Sequence, residues 1–378
     1  MEKQAKETKE TKALQPVSPF QKLIDQKFGG RAFTPEELQF YVDSLVEMHL
    51  SFQEIIPGPP PGMEQLHSSA CSNDAITINS WKQQWLDQIK QNIQHYDVKK
   101  NSAMLEYGKA AMKPVLCMGS GPSLQKNIQT YAEHKRDITA VSCLHNYAFL
   151  EDNGCHADYY VNLDAGEITV PELSQGGVQG EKHYWESTKD KTLIATILSY
   201  PELLKRWKGK ILFYNCPIPD LDEEIKKIID FPLYFNMGGN TLGAAMYFSK
   251  AILGCNPVIF MGADFSFGYN HQFHPFASPY DKQFSGTIPV TDIFGNRVHT
   301  WRSYYNFKCW FDWMACGGSG GNPALWVNAT EGGILGAYPE GNIRQVLQMS
   351  LKEALSMYHH YKQMPELVKP NTNTRLLI

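Results

Sequence analysis

The sequence predicts an α/β fold: a Rossmann-like, mostly parallel sheet with helices on both faces, plus a helical N-terminal region. Three observations carry this. Short apolar, β-rich runs begin near residue 113 and alternate with helical stretches, the pattern of buried parallel strands and their crossovers. One run, Pro114 to Met118, breaks into the small-residue turn Gly119-Ser120-Gly121-Pro122-Ser123-Leu124. The chain's 378 residues, 43% hydrophobic and 12% aromatic, supply core for roughly two domains.

Residues 1–18 form a polar, Lys/Glu/Thr-rich tail with nothing to bury and are expected to be disordered. Residues 19–105 read as a helical N-terminal region. Thr34-Pro35-Glu36-Glu37 combines an N-cap, a first-turn proline and a capping glutamate ahead of Leu38, Tyr41, Val42, Leu45 and Met48. The proline-rich run 57–62 makes a stiff connector, after which Trp81, Trp85, Ile89, Ile93 and Tyr96 recur at helical spacing. This region is expected either to dock on the main domain or to mediate self-association into a homo-oligomer.

Residues 106–340 read as a Rossmann-like nucleotide-binding catalytic domain. Its expected strands are 115–118, 138–143, 159–163, 192–197, 211–214, 233–235 and 258–261, with helices over 201–207, 221–229 and 242–253 between them. The stretch 265–340, rich in aromatic, Gly and His residues with weak periodicity, suits a lid of loops and short helices. In the final segment, 341–378, Ile343, Val346, Leu347, Leu351, Ala354, Leu355, Tyr358 and Tyr361 trace one stripe of a long amphipathic helix before a tail.

The net charge of −4 argues against a broad nucleic-acid footprint. Eight scattered cysteines include no Cys-x-x-Cys and no metal-ligand spacing, so buried thiols in a reducing cytoplasm are expected. The first twenty residues lack an apolar signal region, and no run approaches the ~18 apolar residues of a membrane span.

Small residues at a strand exit let backbone N–H groups approach a phosphate, and a following helix adds its positive end. Gly119, Ser120, Gly121, Pro122 and Ser123 form such a turn, although Leu124 stands where a dinucleotide fingerprint has its third glycine and no lysine is present. A tight turn without ligand is the plain alternative. A second turn, Gly238-Gly239-Asn240-Thr241, precedes another helical run; Asn240 or Thr241 either caps that helix or donates to a phosphate oxygen. Two such turns on one sheet edge are more telling than either alone.

Asp164 and Asp264 each follow an apolar strand. A carboxylate there can hold Mg²⁺ against phosphates, bind a sugar hydroxyl, or cap the next turn. Asn146 and Asn162 offer neutral hydrogen bonds to a base or sugar, or serve as solvated turn residues. His271 and His274 lie in an aromatic loop, with His299 further on; an imidazole titrating near neutrality can act as general base, and surface histidines without a role are the alternative. The glycine-rich run 317–321 reads as a flexible connector, whereas Thr330 and Glu331 before Gly332 and Gly333 place polar groups at a site mouth. Asn328-Ala329-Thr330 matches a glycosylation acceptor that a cytoplasmic chain would leave unmodified.

The Gly119–Leu124 turn, the Gly262-Ala263-Asp264 strand end, the run 290–300 and Asn328-Ala329-Thr330-Glu331-Gly332-Gly333 resemble the MptE-like family. That family includes Maf (motility accessory factor) proteins, implicated in transferring nonulosonic acids to flagellin, and archaeal 6-hydroxymethyl-dihydropterin diphosphokinases. The first turn and the Gly-x-Asp strand end are also similar to those of bacterial sialyltransferases that use CMP-activated sugars. The resemblance covers about 110–340. It implies that residues 119–123 and 238–241 surround the nucleotide, that Asp264 and Tyr269 stand beside its phosphate or sugar, and that Thr330, Glu331 and Gly332 close the site.

The expected function is therefore a glycosyltransferase using a CMP- or UDP-linked sugar, with His274 or His271 activating the acceptor hydroxyl and the acceptor itself, protein or glycan, left open. The alternatives are a Mg²⁺-dependent diphosphokinase acting on a pterin alcohol, with Asp164 and Asp264 on the metal, and a non-catalytic nucleotide- or sugar-binding accessory protein.

Overall fold

The structure is a computed structural model that describes residues 63–111, 113–134, 138–276, 286–315, 324–339 and 341–362. The tail 1–18, the helix expected from Thr34, the connector 57–62 and the glycine run 317–321 lie outside the described residues. Among these, no helix is long and apolar enough to cross a membrane.

The strands are β1 (Val115–Met118), β2 (Thr139–Cys143), β3 (Tyr159–Asn162), β4 (Thr192–Thr196), β5 (Lys210–Tyr214), β6 (Val258–Met261), β7 (Thr287–Thr291), β8 (Arg297–Trp301), β9 (Trp326–Asn328) and β10 (Val346–Gln348). Eight form one sheet in the order β10-β9-β6-β1-β2-β3-β4-β5, parallel at every pairing, while β7 and β8 make a separate antiparallel hairpin. All four residues of β1 and of β6 are buried. Because successive side chains point to opposite faces, both faces of the sheet's centre are covered.

The helices are α1 (Met63–His95), α2 (Leu124–His134), α3 (Tyr147–Asp152), α4 (Thr169–Glu172), α5 (Glu181–Ser187), α6 (Pro201–Arg206), α7 (Asp222–Ile228), α8 (Thr241–Tyr247), α9 (Arg302–Ala315) and α10 (Leu351–Lys362). From β1 the chain steps outward through β2, β3, β4 and β5, then returns to place β6 on the other side of β1. Strand order reverses between β1 and β6, the position where open α/β sheets leave a crevice for ligands. Helix α8 packs across β1, β2 and β3.

Helix α1 docks on the edge where β3 and β4 end. Its buried face is mixed: Ile89 is fully buried, worth about 1.5–3 kcal/mol, beside Gln88 and Asn92. Gln88 donates to the Ala165 carbonyl at 3.0 Å, and Asn92 to the carbonyls of Ile197 at 3.0 Å and Ser199 at 2.9 Å. The amides satisfy loop carbonyls that burial would otherwise orphan. Trp81, by contrast, is an exposed member of the expected aromatic stripe.

Three expectations are corrected. Residues 233–235 form no strand but a single bridge between Tyr234 and Asn215; Pro232 just before them has no N–H to extend a ladder. The stripe from Ile343 to Tyr361 is two elements, because Val346–Gln348 is the outermost strand of the sheet and the helix starts at Leu351. A capping box fixes that start: Glu353 accepts from Ser350 N–H at 2.8 Å and Ser350 Oγ accepts from Glu353 N–H at 3.1 Å. The region expected to be a lid of loops and short helices contains the β7–β8 hairpin, the 14-residue α9 and the buried strand β9.

Candidate functional site

Strands β1 and β6 end in register, Met118 opposite Met261, so Gly119 and Gly262 leave the sheet side by side. Gly119 N–H donates to Met261 O and Gly121 N–H to Gly262 O, both at 2.9 Å. A Cβ on Gly119 would lie 2.5 Å from Gly262 O, and one on Gly262, whose φ is +66°, would lie 2.5 Å from Gly119 O. Only paired glycines allow the two exits to touch.

Above these exits lies a cavity of about 400 Å³. Gly119, Ser120 and Gly121 line it from the exit of β1; Asn162 lines it from the end of β3, and Asp164 and Glu172 from the connection that follows. Gly239, Asn240, Thr241 and Leu242 contribute from the start of α8, and Asp264 and His274 from the chain after β6. Phe273, Tyr304 and Phe307 form an aromatic wall, and His145 reaches in from the turn after β2. The two glycine turns thus open on one hollow.

The turns differ in what they offer. In the first, the amides of Gly119, Gly121, Ser123 and Leu124 all bond within the protein, and Pro122 has none; of the six residues 119–124, Ser120 alone has an N–H with no acceptor among the described residues. In the second, Asn240 caps α8 by accepting from Gly243 N–H at 2.8 Å, while the N–H groups of Gly239, Thr241 and Leu242 have no hydrogen-bond acceptor among the described residues. Orphan donors at a helix entry suit an anion.

Asp264 is 4% exposed and fastens the first turn, accepting from Ser123 Oγ at 2.7 Å and from Ser123 N–H at 3.3 Å. Burial pushes its carboxyl up to about 7, against the opposing pull of the Ser123 donors. The next residue, Phe265, holds φ +50°, a strained value for an aromatic residue, on the cavity wall. Thr330 stands behind this strand end with its Oγ1 accepting from Ala263 N–H at 3.1 Å, and Ile334 N–H donates to Asp264 O at 2.8 Å.

The remaining expected residues divide. Asp164 lies on the wall, where its Oδ1 accepts from Gly166 N–H at 2.7 Å. Asn146 is fully buried outside the cavity lining, donating to the carbonyls of Met118 and Gly119 and to Ser142 Oγ. Gly238 packs under Trp310. Tyr269 is exposed and bonds to Asp292 and Asn296, away from the lining. Glu331 pairs with Lys126 at 3.4 Å and accepts from Leu351 N–H, with Gly332 beside it; Thr330, Glu331 and Gly332 are all absent from the cavity lining. His271 also lies off the wall, whereas His274 is on it, its Nδ1 2.8 Å from Ser120 O. A carbonyl accepts only, so His274 carries its proton on Nδ1 and leaves Nε2 open.

His145, Glu172, Tyr304 and Phe307 were not singled out in the sequence. His145 was within reach, since it follows β2 directly on the carboxyl edge of the sheet. Its ring packs edge-on to His274 with centroids 4.7 Å apart, and burial pushes it down to about 4, with His274 adding to the effect. Burial also lowers His274, so this pair is neutral at pH 7. Burial raises Glu172 to about 7, and the Asp164 carboxylate adds to the rise. Tyr304 and Phe307, three apart on α9, share one helix face.

Besides Asp264, which is bound to Ser123, two carboxyls share the cavity wall, Asp164 and Glu172; among the described residues no cluster of three or more His, Cys, Asp or Glu side chains could hold a metal. Such a pair fits Mg²⁺ only as a phosphate-borne ion, which takes one or two carboxylates and fills its shell with phosphate oxygens and water.

An all-parallel sheet with a cavity at its switch point defines a Rossmann-like class of α/β protein. Residues 83–270 match the family model described as 6-hydroxymethylpterin diphosphokinase MptE-like, and over that segment the chain belongs to the MptE-like family. Among solved structures, the chain is similar to the MAf glycosyltransferase from Magnetospirillum magneticum AMB-1, with a TM-score of 0.49 and 15% identity. The alignment covers 72% of this chain and 40% of that one, so the chain spans less than half of that protein's length. No curated protein sequence matches the chain.

Proposed function

We propose that the protein is a glycosyltransferase that takes a sugar from a nucleotide donor, CMP- or UDP-linked, and passes it to a hydroxyl acceptor. The observation that carries this reading is the single cavity onto which both glycine turns open. The donor phosphate would lie against the free amides of Ser120, Gly239, Thr241 and Leu242, which stabilise charge on the departing oxygen without a cation. Asn162 and Asp164 would hydrogen-bond sugar or ribose hydroxyls. The wall of Phe273, Tyr304 and Phe307 keeps bulk water from the bond being broken. Two groups are able to take the acceptor's proton, His274 through Nε2 and Glu172 through its carboxylate.

Purified protein incubated with CMP- and UDP-sugars should release nucleotide, and CMP or UDP should raise its melting temperature. No release from any donor, with no thermal shift, rejects the reading.

A second reading is favoured by the description of the matching family and by the Asp164–Glu172 pair: pyrophosphoryl transfer from ATP to a pterin alcohol. There Mg²⁺ would neutralise the phosphates, and the two carboxylates would hold it. AMP formation that requires both Mg²⁺ and a pterin distinguishes it. Binding without turnover of any donor points instead to an accessory protein.

A further inference from the structure

The following rests on the transferase reading. Glu172 ends α4, half-buried, with its carboxyl on the cavity wall. Among the described residues, that carboxyl makes no hydrogen bond or ion pair. The other carboxyls and imidazoles of the wall are engaged: Asp164 with Gly166 N–H, Asp264 with Ser123, His145 with Gln175 at 2.8 Å, and His274 with Ser120 O. A carboxyl withdrawn from water without a partner costs the fold free energy and returns nothing to it. Its position is explained by what enters the cavity.

We propose that Glu172 is the general base of the reaction, accepting the proton of the attacking hydroxyl. As the acceptor oxygen bonds to the sugar's anomeric carbon, the bond from that carbon to the phosphate oxygen breaks and its electron pair leaves with the phosphate. The hydroxyl proton passes to the Glu172 carboxylate, which returns it to solvent after the products depart.

Placement favours Glu172 over His274. His274 is tied to Ser120 in the turn assigned to the donor phosphate. Glu172 enters from the connection after β3, two strands from β1, a separation of ~10 Å at the spacing of neighbouring strands. Displacement at the anomeric carbon needs an acceptor oxygen ~3 Å beyond that carbon and a base ~3 Å further still, on the side away from the phosphate.

The titratable groups facing Glu172 are Asp164 from its own connection, His145 from the turn after β2 and Tyr304 from α9. Helix α6, packed against α4, brings Glu202, Lys205 and Arg206, whose charges pair as Lys205–Glu202 and Arg206–Glu181. With Asp164 beside it and no cation paired to it, the carboxyl gains a proton as pH falls below neutrality, so turnover should fall there.

The test compares the full chain with Glu172→Gln, Glu172→Asp and His274→Gln, using CMP-N-acetylneuraminate and UDP-N-acetylglucosamine as probes with water as acceptor. Glu172→Gln should lower kcat by about 100-fold or more while keeping the donor KM and the CMP- or UDP-induced melting shift. Glu172→Asp should recover part of the rate and the acid limb of the kcat–pH profile near pH 7; His274→Gln should keep that limb. If Glu172→Gln turns over within about threefold of the parent, or keeps the acid limb, the assignment is overturned while the transferase reading stands. If the parent chain cleaves neither probe, nor any other nucleotide sugar, both fall together.

Discussion

A methyl group on Gly121 would lie 2.0 Å from Asp264 Oδ2, so the carboxylate that fastens the first turn occupies the space a side chain at position 121 would need. The same methyl would come within 2.7 Å of Gly262 O, which is backbone and cannot swing aside. The exits of β1 and β6 are thus joined through a glycine on one strand end and a carboxylate on the other.

Gly121→Ala should therefore destabilise the protein by about 1–3 kcal/mol, the usual cost of overpacking a tight site. It should also abolish the melting shift produced by CMP or UDP, because the Ser120 amide moves with the turn. Thermal melting with and without nucleotide checks both effects; a variant as stable and responsive as the parent would show that the turn relaxes freely.

Asp264 sets a pH dependence. Its carboxyl, held up to about 7 by burial in the folded state, titrates near 4 when unfolded, so the native state binds the proton more tightly. The stability this contributes is fully present below pH ~4 and is lost as pH rises through ~7. Glu172 acts in the same direction over the same window. Asp264→Asn, neutral throughout and still able to accept from Ser123, should lose less stability between pH 5 and pH 8 than the parent, as read from urea midpoints.

Asn240 caps α8 and holds the turn that carries three free amides. Asn240→Ala should cost about 1 kcal/mol through the lost cap. If the anion sits on Gly239, Thr241 and Leu242, nucleotide binding should weaken by more than the stability loss explains. Isothermal titration with CMP and UDP separates the two; unchanged affinity would move the phosphate elsewhere in the cavity.

Further along α9, Lys308 and Asp312 form a fully buried ion pair at 2.7 Å, with the Lys308 ammonium 3.4 Å from the Tyr338 ring centroid. Lys308 donates to Ala337 O, and Asp312 accepts from Gly336 N–H and Tyr338 OH. The pair ties α9, which bears Tyr304 and Phe307, to the loop behind Asp264. Lys308→Met should destabilise by about 3–5 kcal/mol because it leaves a buried carboxylate unpaired. The double variant Lys308→Met/Asp312→Asn should recover most of that loss in denaturant titration.

The strands at the sheet's centre were legible because each is an apolar run too short for a helix, closed by Gly, Asp or Asn, and the first turn was legible because its small residues follow such a run directly. Two of the features that escaped lie where local pattern misleads or is silent. At the C-terminus the apolar spacing of 343–361 satisfies a helical period, although Ser350 and Glu353 mark where the helix begins. Glu172 lies eight residues beyond Asp164 with no motif around it, and only the packing of α4 against the cleft brings it to the wall.

The amino-acid order by itself determined the parallel sheet, its glycine exits and the apolar core, since each follows from local pattern and backbone sterics. Tertiary structure decided which polar groups face the cavity. It spent the Gly121 and Ser123 amides of the first turn on Gly262 and Asp264 while leaving those of Gly239 and Thr241 in the second without an acceptor among the described residues, and it buried Asn146 but exposed Tyr269. The physical reason is that a hydrogen-bond donor or a titratable group takes its character from the acceptors and the dielectric around it, and those arrive from strands and helices distant in the chain.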